Sequence, residues 1–122
     1  GALLLTTPNV ASLRALNAIL HGYHPSFFPA YILPRKAGEE AEARHNREYT
    51  PKEIYQLFWE TGLEISTLET GEFLDQPHPE EHFIRHLLER YKLTTELRGD
   101  GIYCLGRKAG PIRNRYPNWL YA

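Results

Sequence analysis

The chain opens with GALLLTTPN at residues 1–9, and this stretch decides the fold that the sequence predicts. A short apolar run, closed by two threonines and a proline, is typical of a strand that is buried on both faces of its sheet. Such strands belong to α/β sheets that helices cover. Because open α/β sheets bind ligands at the carboxyl ends of their strands, residues 6–9 are expected to border a binding site.

Size and charge limit the classes of protein to consider. The 122 residues suffice for one domain with one core. The net charge of -1 argues against a surface that follows phosphates, so we expect no nucleic-acid partner. No apolar stretch approaches the roughly 18 residues that span a bilayer, and residues 2–7 are too short for the core of a signal peptide. The single cysteine, Cys104, suits a reducing compartment and predicts a cytoplasmic protein, and its apolar neighbours favour a buried structural thiol over a catalytic one.

The apolar residues between positions 10 and 20 have helical spacing, which predicts an amphipathic helix. Asn9 or Ser12 is its expected N-cap, and Gly22 marks its expected end. Residues 23–49 follow without clear periodicity. A connection of this length in a compact domain is typical of a lid over a functional site.

TPKE at residues 50–53 is the clearest local signal in the chain. Thr50 can cap a helix, Pro51 suits the first helical position, and Glu53 completes a capping box. The helix that begins here is expected to end at Gly62.

The second half of the chain predicts two strands, a helix and a tail. Residues 63–68 and 102–105 are expected strands, and a helix is expected to begin near Pro79. Residues 111–122 form a tail in which arginines and aromatic residues alternate. The apolar face predicted for the helix consists of Phe83, Ile84, Leu87, Leu88 and Tyr91.

Four segments, taken in order, resemble parts of the class I S-adenosylmethionine-dependent methyltransferases. Residues 1–9 look like the fifth strand of those enzymes and the loop that follows it. HNREYTP at residues 45–51 resembles the segment that leads into their next helix, and ETGL at residues 60–63 resembles the end of that helix. GIYCLGRK at residues 101–108 looks like their final strand, which in that family runs antiparallel to the rest.

The resemblance implies an α/β fold: a partial Rossmann-like sheet of the family's last three strands, mixed parallel and antiparallel, with flanking helices. Residues 1–110 would be the carboxyl-terminal half of a methyltransferase domain, with a lid and acceptor loop at residues 23–49, followed by the tail. In that family a glycine-rich turn after the first strand and an acidic residue after the second hold the cofactor. The sequence contains no GxGxG. We therefore expect S-adenosylmethionine to bind the complete enzyme and not this chain alone, which would be an inactive carboxyl-terminal piece.

The resemblance also implies methylation of oxygen in a small molecule or glycan, with this chain on the acceptor side. Methyl transfer depends mainly on alignment, and a nearby base helps to remove the hydroxyl proton. Histidine suits that role near neutral pH, so His45 is the candidate catalytic residue. Arg47, Tyr49 and Asn9 are the candidate substrate-binding residues, Arg47 through its planar fork of donors toward an anionic acceptor.

Each of these assignments has a structural alternative. For His45 the alternative, an exposed loop histidine, is favoured. Arg47 can pair with Glu48 or Glu53 instead of a substrate. Asn9 can serve as a helix cap.

Two further patterns in the sequence could indicate a function, but an ordinary structural explanation is favoured for each. HPEEH at residues 78–82 matches the zinc-peptidase pattern HxxEH, and His86 adds a third histidine. Because the helix is expected to begin at Pro79, His78 would lie outside it, and solvated histidines on a surface helix are favoured over a metal site. For the tail, packing against the domain or at a dimer contact is favoured over stacking on bases or sugars.

A second class of function is a non-catalytic α/β module that works by association. An unpaired apolar edge strand is a template for another chain. Both interpretations therefore predict a partner at the exposed strand edge, either the missing half-domain or a second copy of the chain.

Overall fold

The computed structural model describes residues 1–25, 47–72 and 81–121. Within these ranges the chain forms three strands and four helices. In chain order they are β1 (Ala2–Pro8), α1 (Leu13–Leu20), α2 (Pro51–Glu60), β2 (Leu63–Gly71), α3 (Glu81–Arg90), β3 (Gly101–Lys108) and α4 (Asn118–Tyr121).

The three strands form one sheet in the order β1-β3-β2, and β3 pairs antiparallel with both neighbours. Cys104 in β3 lies opposite Leu5 of β1 on one side and Leu68 of β2 on the other. The predicted α/β class is confirmed. The predicted mixture of parallel and antiparallel pairing is wrong, since every pairing between these strands is antiparallel. The reason is that β3 lies between β1 and β2, which run in the same direction without exchanging hydrogen bonds.

The first strand is less buried than its sequence predicts. Leu4 is 67% exposed and Leu3 is 44% exposed. Among the described elements, β1 packs only against β3, so it is an edge strand whose apolar side chains reach solvent. Within the described residues β1 is thus an exposed edge, and the burial on both faces that the sequence predicts stays a prediction about a larger architecture.

The core consists of two clusters. In the first, Ile54 and Phe58 of α2 pack against Ile102 and Cys104 of β3, and all four are almost completely buried. This packing brings helix and strand so close that a Cβ on Gly106 would lie 2.7 Å from the Phe58 ring. The helix α2 thus covers the β2–β3 half of the sheet.

The second cluster joins α1 to α3 through Leu13, Ile84 and Leu88. Only part of the predicted apolar face of α3 is used. Phe83 is 59% exposed and Tyr91 is 64% exposed. The prediction that these two residues lie in the core is therefore wrong. Tyr91 directly follows Arg90, the last residue of α3.

The predicted helix ends are confirmed where the structure describes them. Ser12, not Asn9, caps α1 by accepting a 3.0 Å hydrogen bond from the Ala15 amide. Thr50 and Glu53 form the capping box of α2, with hydrogen bonds of 3.2 and 2.8 Å. None of the helices in the described part of the chain is long and apolar enough to cross a membrane.

Candidate functional site

The candidate site lies where β1 and β2 end and β3 begins. Pro8 and Gly71, the last residues of their strands, both pair with Gly101. Asn9 follows β1 directly and forms an isolated parallel bridge with Tyr49. The amide of Val10 also donates a 3.0 Å hydrogen bond to the Tyr49 carbonyl. The structure therefore brings together two of the predicted site residues, Asn9 and Tyr49, at this edge.

Asn9 is fully buried and its side chain is used by the protein itself. Its amide donates to the carbonyl oxygens of Leu97 at 3.0 Å and Gly99 at 2.8 Å, while its side-chain oxygen accepts from the Ala11 amide at 3.0 Å. A primary amide has two hydrogens to donate. Direct contact between Asn9 and a substrate would thus require the amide to leave its present partners.

The turn at residues 97–100 is fixed to the start of α1 by further contacts. Arg98 donates from Nη1 to the Ala11 carbonyl at 2.7 Å, and its own carbonyl accepts from the Leu13 amide at 3.0 Å. Desolvation by burial lowers the pKa of Arg98, but a guanidinium remains charged at neutral pH. Asp100 lies 3.5 Å from the Arg14 guanidinium. These contacts hold the turn at residues 97–100 against the start of α1, and they fix the position of its backbone at the edge of the site.

Arg47 is held by an ion pair and by two aromatic rings. Its Nη2 donates to a carboxylate oxygen of Glu53 at 2.7 Å, which is one of the pairings that the sequence leaves open. Its guanidinium carbon lies 5.6 Å from the centre of the Tyr49 ring and 5.7 Å from that of Trp119. Such cation–π contacts orient the guanidinium plane. Arg47 and Tyr49 are therefore neighbours, as the site prediction requires.

The tail contributes a residue that the sequence did not single out. Trp119 of α4 approaches Arg47 and also donates from its indole nitrogen to Glu60 at 3.0 Å. The predicted packing of the tail against the domain is confirmed by these contacts. The alternation of arginines and aromatic residues signals such packing, but it does not identify Arg47 and Glu60 as partners.

A cleft of about 300 Å³ opens beside the Asn9–Tyr49 bridge. Its walls come from the start of α1, the start of α2 and the turn before β3. This volume is at the lower end of small-molecule sites, which enclose roughly 300–1,000 Å³. Six of its lining residues are Ala11, Thr50, Pro51, Lys52, Leu97 and Arg98.

Two of the predicted histidines, His45 and His78, lie outside the described residues. His45 as a catalytic base therefore stays a prediction. His82 and His86 are exposed on α3. Among the described ranges, no group of three histidine, cysteine or acidic residues could hold a metal ion.

The described residues at this edge do not fit S-adenosylmethionine. Asp100, which directly precedes β3, is buried and faces Arg14, so it offers no open acceptor to ribose hydroxyls. Gly71 and Gly99 lie against each other, and a Cβ on Gly99 would lie 2.7 Å from the Gly71 carbonyl. These glycines therefore allow close packing of the chain on itself and do not cradle a ligand.

The sequence matches no protein-family model and no curated protein. The function must therefore be argued from the residues and their geometry.

Proposed function

We propose that this chain forms the acceptor side of a class I S-adenosylmethionine-dependent methyltransferase that methylates oxygen in a small molecule or glycan. The observation that carries the proposal is the meeting of Asn9, Arg47 and Tyr49 at the carboxyl end of β1, beside a cleft. The resemblance assigns Asn9 to one segment and both Arg47 and Tyr49 to another, and the fold brings the two segments together through the bridge between Asn9 and Tyr49. The antiparallel direction of β3 agrees with the final strand of that family.

Each residue has a distinct role in this proposal. Removal of the hydroxyl proton falls to His45 as general base. Arg47 binds an anionic group on the acceptor through its planar donors, and Tyr49 offers a phenolic hydroxyl. Asn9 acts indirectly, because its amide holds the turn that forms one wall of the cleft. The methyl donor is held by protein outside these residues.

The free edge of β1 supports the second part of the proposal, that more sheet is added there. Leu3 and Leu4 are exposed large apolar residues on a strand that, in the described part of the chain, has a neighbour on one side only. Such an edge presents unpaired backbone donors and acceptors as well as apolar side chains. A further strand paired with β1 would form hydrogen bonds with these backbone groups and would cover the apolar side chains.

The same observation favours a second candidate function. A chain with an exposed apolar edge can act as an association module without any chemistry of its own. The two candidates differ in whether the cleft beside Tyr49 binds an acceptor. They are therefore separated by an experiment that measures cofactor binding and methyl transfer.

The test compares the 122-residue chain with the protein in the full length that its gene encodes. Calorimetric titration with S-adenosylmethionine should show binding to the full-length protein and none to the 122-residue chain. The full-length protein should transfer a radioactive methyl group to a phenol, a hydroxy acid or a sugar hydroxyl in a panel of acceptors.

Two outcomes would contradict the proposal in different ways. Micromolar binding of S-adenosylmethionine by the 122-residue chain alone would show that the donor site is within these residues. A full-length protein that neither binds the cofactor nor transfers a methyl group would leave the association module as the function.

A further inference from the structure

The helix α2 carries two exposed aromatic residues, Tyr55 and Trp59, outside the core clusters. Tyr55 is 58% exposed and Trp59 is 53% exposed, and neither belongs to a core cluster. Residues four apart on a helix lie on the same face. Tyr55 and Trp59 thus form one aromatic surface.

One side of this aromatic surface faces the start of β2, at the opposite end of that strand from the candidate site. Tyr55 and Trp59 border a cleft of about 350 Å³ that also includes Leu63, the first residue of β2, and Arg113 of the tail. Gly71, at the candidate site, is the last of the nine residues of β2. With a rise of roughly 3.3 Å per residue, the two ends are about 25 Å apart.

The cleft has a fixed shape because the tail is fastened to the end of α2. The Arg113 amide donates to the Glu60 carbonyl at 2.7 Å, and Arg113 Nη1 donates to the Trp59 carbonyl. The guanidinium carbon of Arg113 lies 4.6 Å from the centre of the Trp59 ring. Arg113 therefore covers part of the Trp59 ring, and the rest of the ring is exposed to solvent.

A second depression lies on the other side of the same two rings. Its volume is about 500 Å³, and Lys52, Gln56 and Glu60 line it together with Tyr55 and Trp59. The aromatic surface is thus a ridge between two clefts. A ridge of this kind fits a ligand of more than one ring better than a single compact molecule.

The charges around the ridge are balanced. The first cleft is lined by Arg113 and Glu64 and the second by Lys52 and Glu60, so each has one cation and one carboxylate. Glu64 is exposed and lies 3.6 Å from Arg107. An exposed ion pair contributes little free energy, so Glu64 can turn toward a ligand at small cost. Balanced charges favour a neutral ligand with both donors and acceptors over an anion.

We infer that Tyr55, Trp59 and Arg113 form a binding site for a neutral oligosaccharide. A pyranose ring presents C–H groups on its faces, which pack on aromatic rings, and hydroxyls at its edge. Those hydroxyls can donate to Glu64 and accept from Arg113. A proline-rich peptide also docks on aromatic grooves, but proline has no N–H to donate to Glu64. This sugar site does not depend on the proposed methyl transfer.

The experiment follows the two indole N–H signals of the ¹⁵N-labelled chain by NMR during titration with neutral hexasaccharides. The probes are α-1,4-glucan, β-1,4-glucan, β-1,4-xylan and β-1,4-mannan oligosaccharides. At least one should shift the Trp59 signal saturably and leave the Trp119 signal in place. Trp59→Ala and Tyr55→Ala should each weaken binding about tenfold or more, as expected for aromatic anchors. The matched control is Tyr91→Ala, which removes a similarly exposed ring just after the end of α3 and should leave the affinity unchanged.

Several results would overturn the sugar site. No saturable shift of Trp59 at millimolar concentrations of the four oligosaccharides would do so. The same holds if only a proline-rich decapeptide or a sulfated oligosaccharide shifts the signal. Should Trp59→Ala fail to fold, Tyr55→Ala and Trp59→Phe still decide the matter, because unchanged affinity in both would remove the ridge from binding. Since only binding is measured, failure here is independent of the methyltransferase test.

Discussion

The side-chain amide of Asn9 donates a 2.8 Å hydrogen bond to the carbonyl oxygen of Gly99, ninety residues later in the chain. A second bond of 3.0 Å goes from the same nitrogen to the Leu97 carbonyl. The end of β1 and the turn that leads into β3 are therefore joined by one buried side chain. Because this turn also forms a wall of the candidate cleft, the geometry of the site depends on Asn9.

Replacing Asn9 by alanine should destabilise the fold strongly. The change leaves the carbonyls of Leu97 and Gly99 without these donors in a buried place, which we expect to cost about 2–4 kcal/mol of unfolding free energy. Urea unfolding followed by circular dichroism measures the loss. The matched control is Asn114→Ala at an exposed position, where the change should cost less than about 0.5 kcal/mol. Equal stability of both variants would show that the Asn9 bonds are not important.

The features that sequence predicts well are those whose cause lies within a few residues. The capping box of α2 needs only Thr50 and Glu53, three positions apart, and the structure forms it as expected. The pairing of Arg47 with Glu53 spans six positions and could be proposed as an alternative. Local spacing therefore predicts helix ends and near contacts.

The features that sequence misses depend on distant parts of the chain. The apolar residues Leu3 and Leu4 have the same sequence pattern whether β1 is central or at an edge. Only the pairing partners decide which, and here β3 is its only neighbour in the sheet of the described residues. The contact of Trp119 with Glu60 is equally distant, spanning 59 positions. The spacing of apolar residues along the sequence does not indicate contacts between such distant positions.

Gly62 tests the close approach of the tail to the end of α2. Its φ is 75°, and a Cβ there would clash with the Pro111 carbonyl. Two other glycines separate the effect of backbone strain from that of the steric clash. Gly22 has a φ of 80° and no atom near its Cβ position. Gly110 has neither a positive φ nor a near neighbour in the described structure. Alanine should cost roughly 1–2 kcal/mol at Gly22 from backbone strain alone, more than that at Gly62, and less than about 0.5 kcal/mol at Gly110. Urea unfolding gives the order, and a Gly62 variant as stable as the Gly110 variant would contradict it.

His45 is tested by activity in the full-length protein. His45→Ala should lower turnover at least about tenfold at saturating acceptor, the low end of general-base effects. His82→Ala, an exposed histidine on α3, is the control and should keep its turnover. If His45→Ala turns over as fast as the parent protein, His45 has no part in proton removal.

Arg47 is tested by a substitution that keeps its charge. Arg47→Lys loses the planar fork of donors, so the acceptor KM should rise about tenfold for an anionic acceptor while kcat changes less. Arg107→Lys on the exposed face of β3 is the control. Glu53→Gln separates binding from structure, since it removes the ion pair and leaves the guanidinium in place. A purely structural Arg47 would give lower stability in both Arg47→Lys and Glu53→Gln, with the KM unchanged.

Cys104 predicts a specific dependence of stability on pH. The side chain is completely buried, and desolvation raises the pKa of its thiol. The unfolded chain loses this proton near pH 8.5, so the stabilisation is complete below that pH and is lost as pH rises toward the folded pKa. Between pH 7 and pH 10 the parent protein should therefore lose more unfolding free energy than Cys104→Ala, by at most about 2 kcal/mol. Because Cys104 is the single cysteine, its reaction with a thiol reagent at pH 8 should be slow in buffer and fast in urea. Rapid reaction of the folded protein, or the same pH dependence in both proteins, would contradict a buried, protonated thiol.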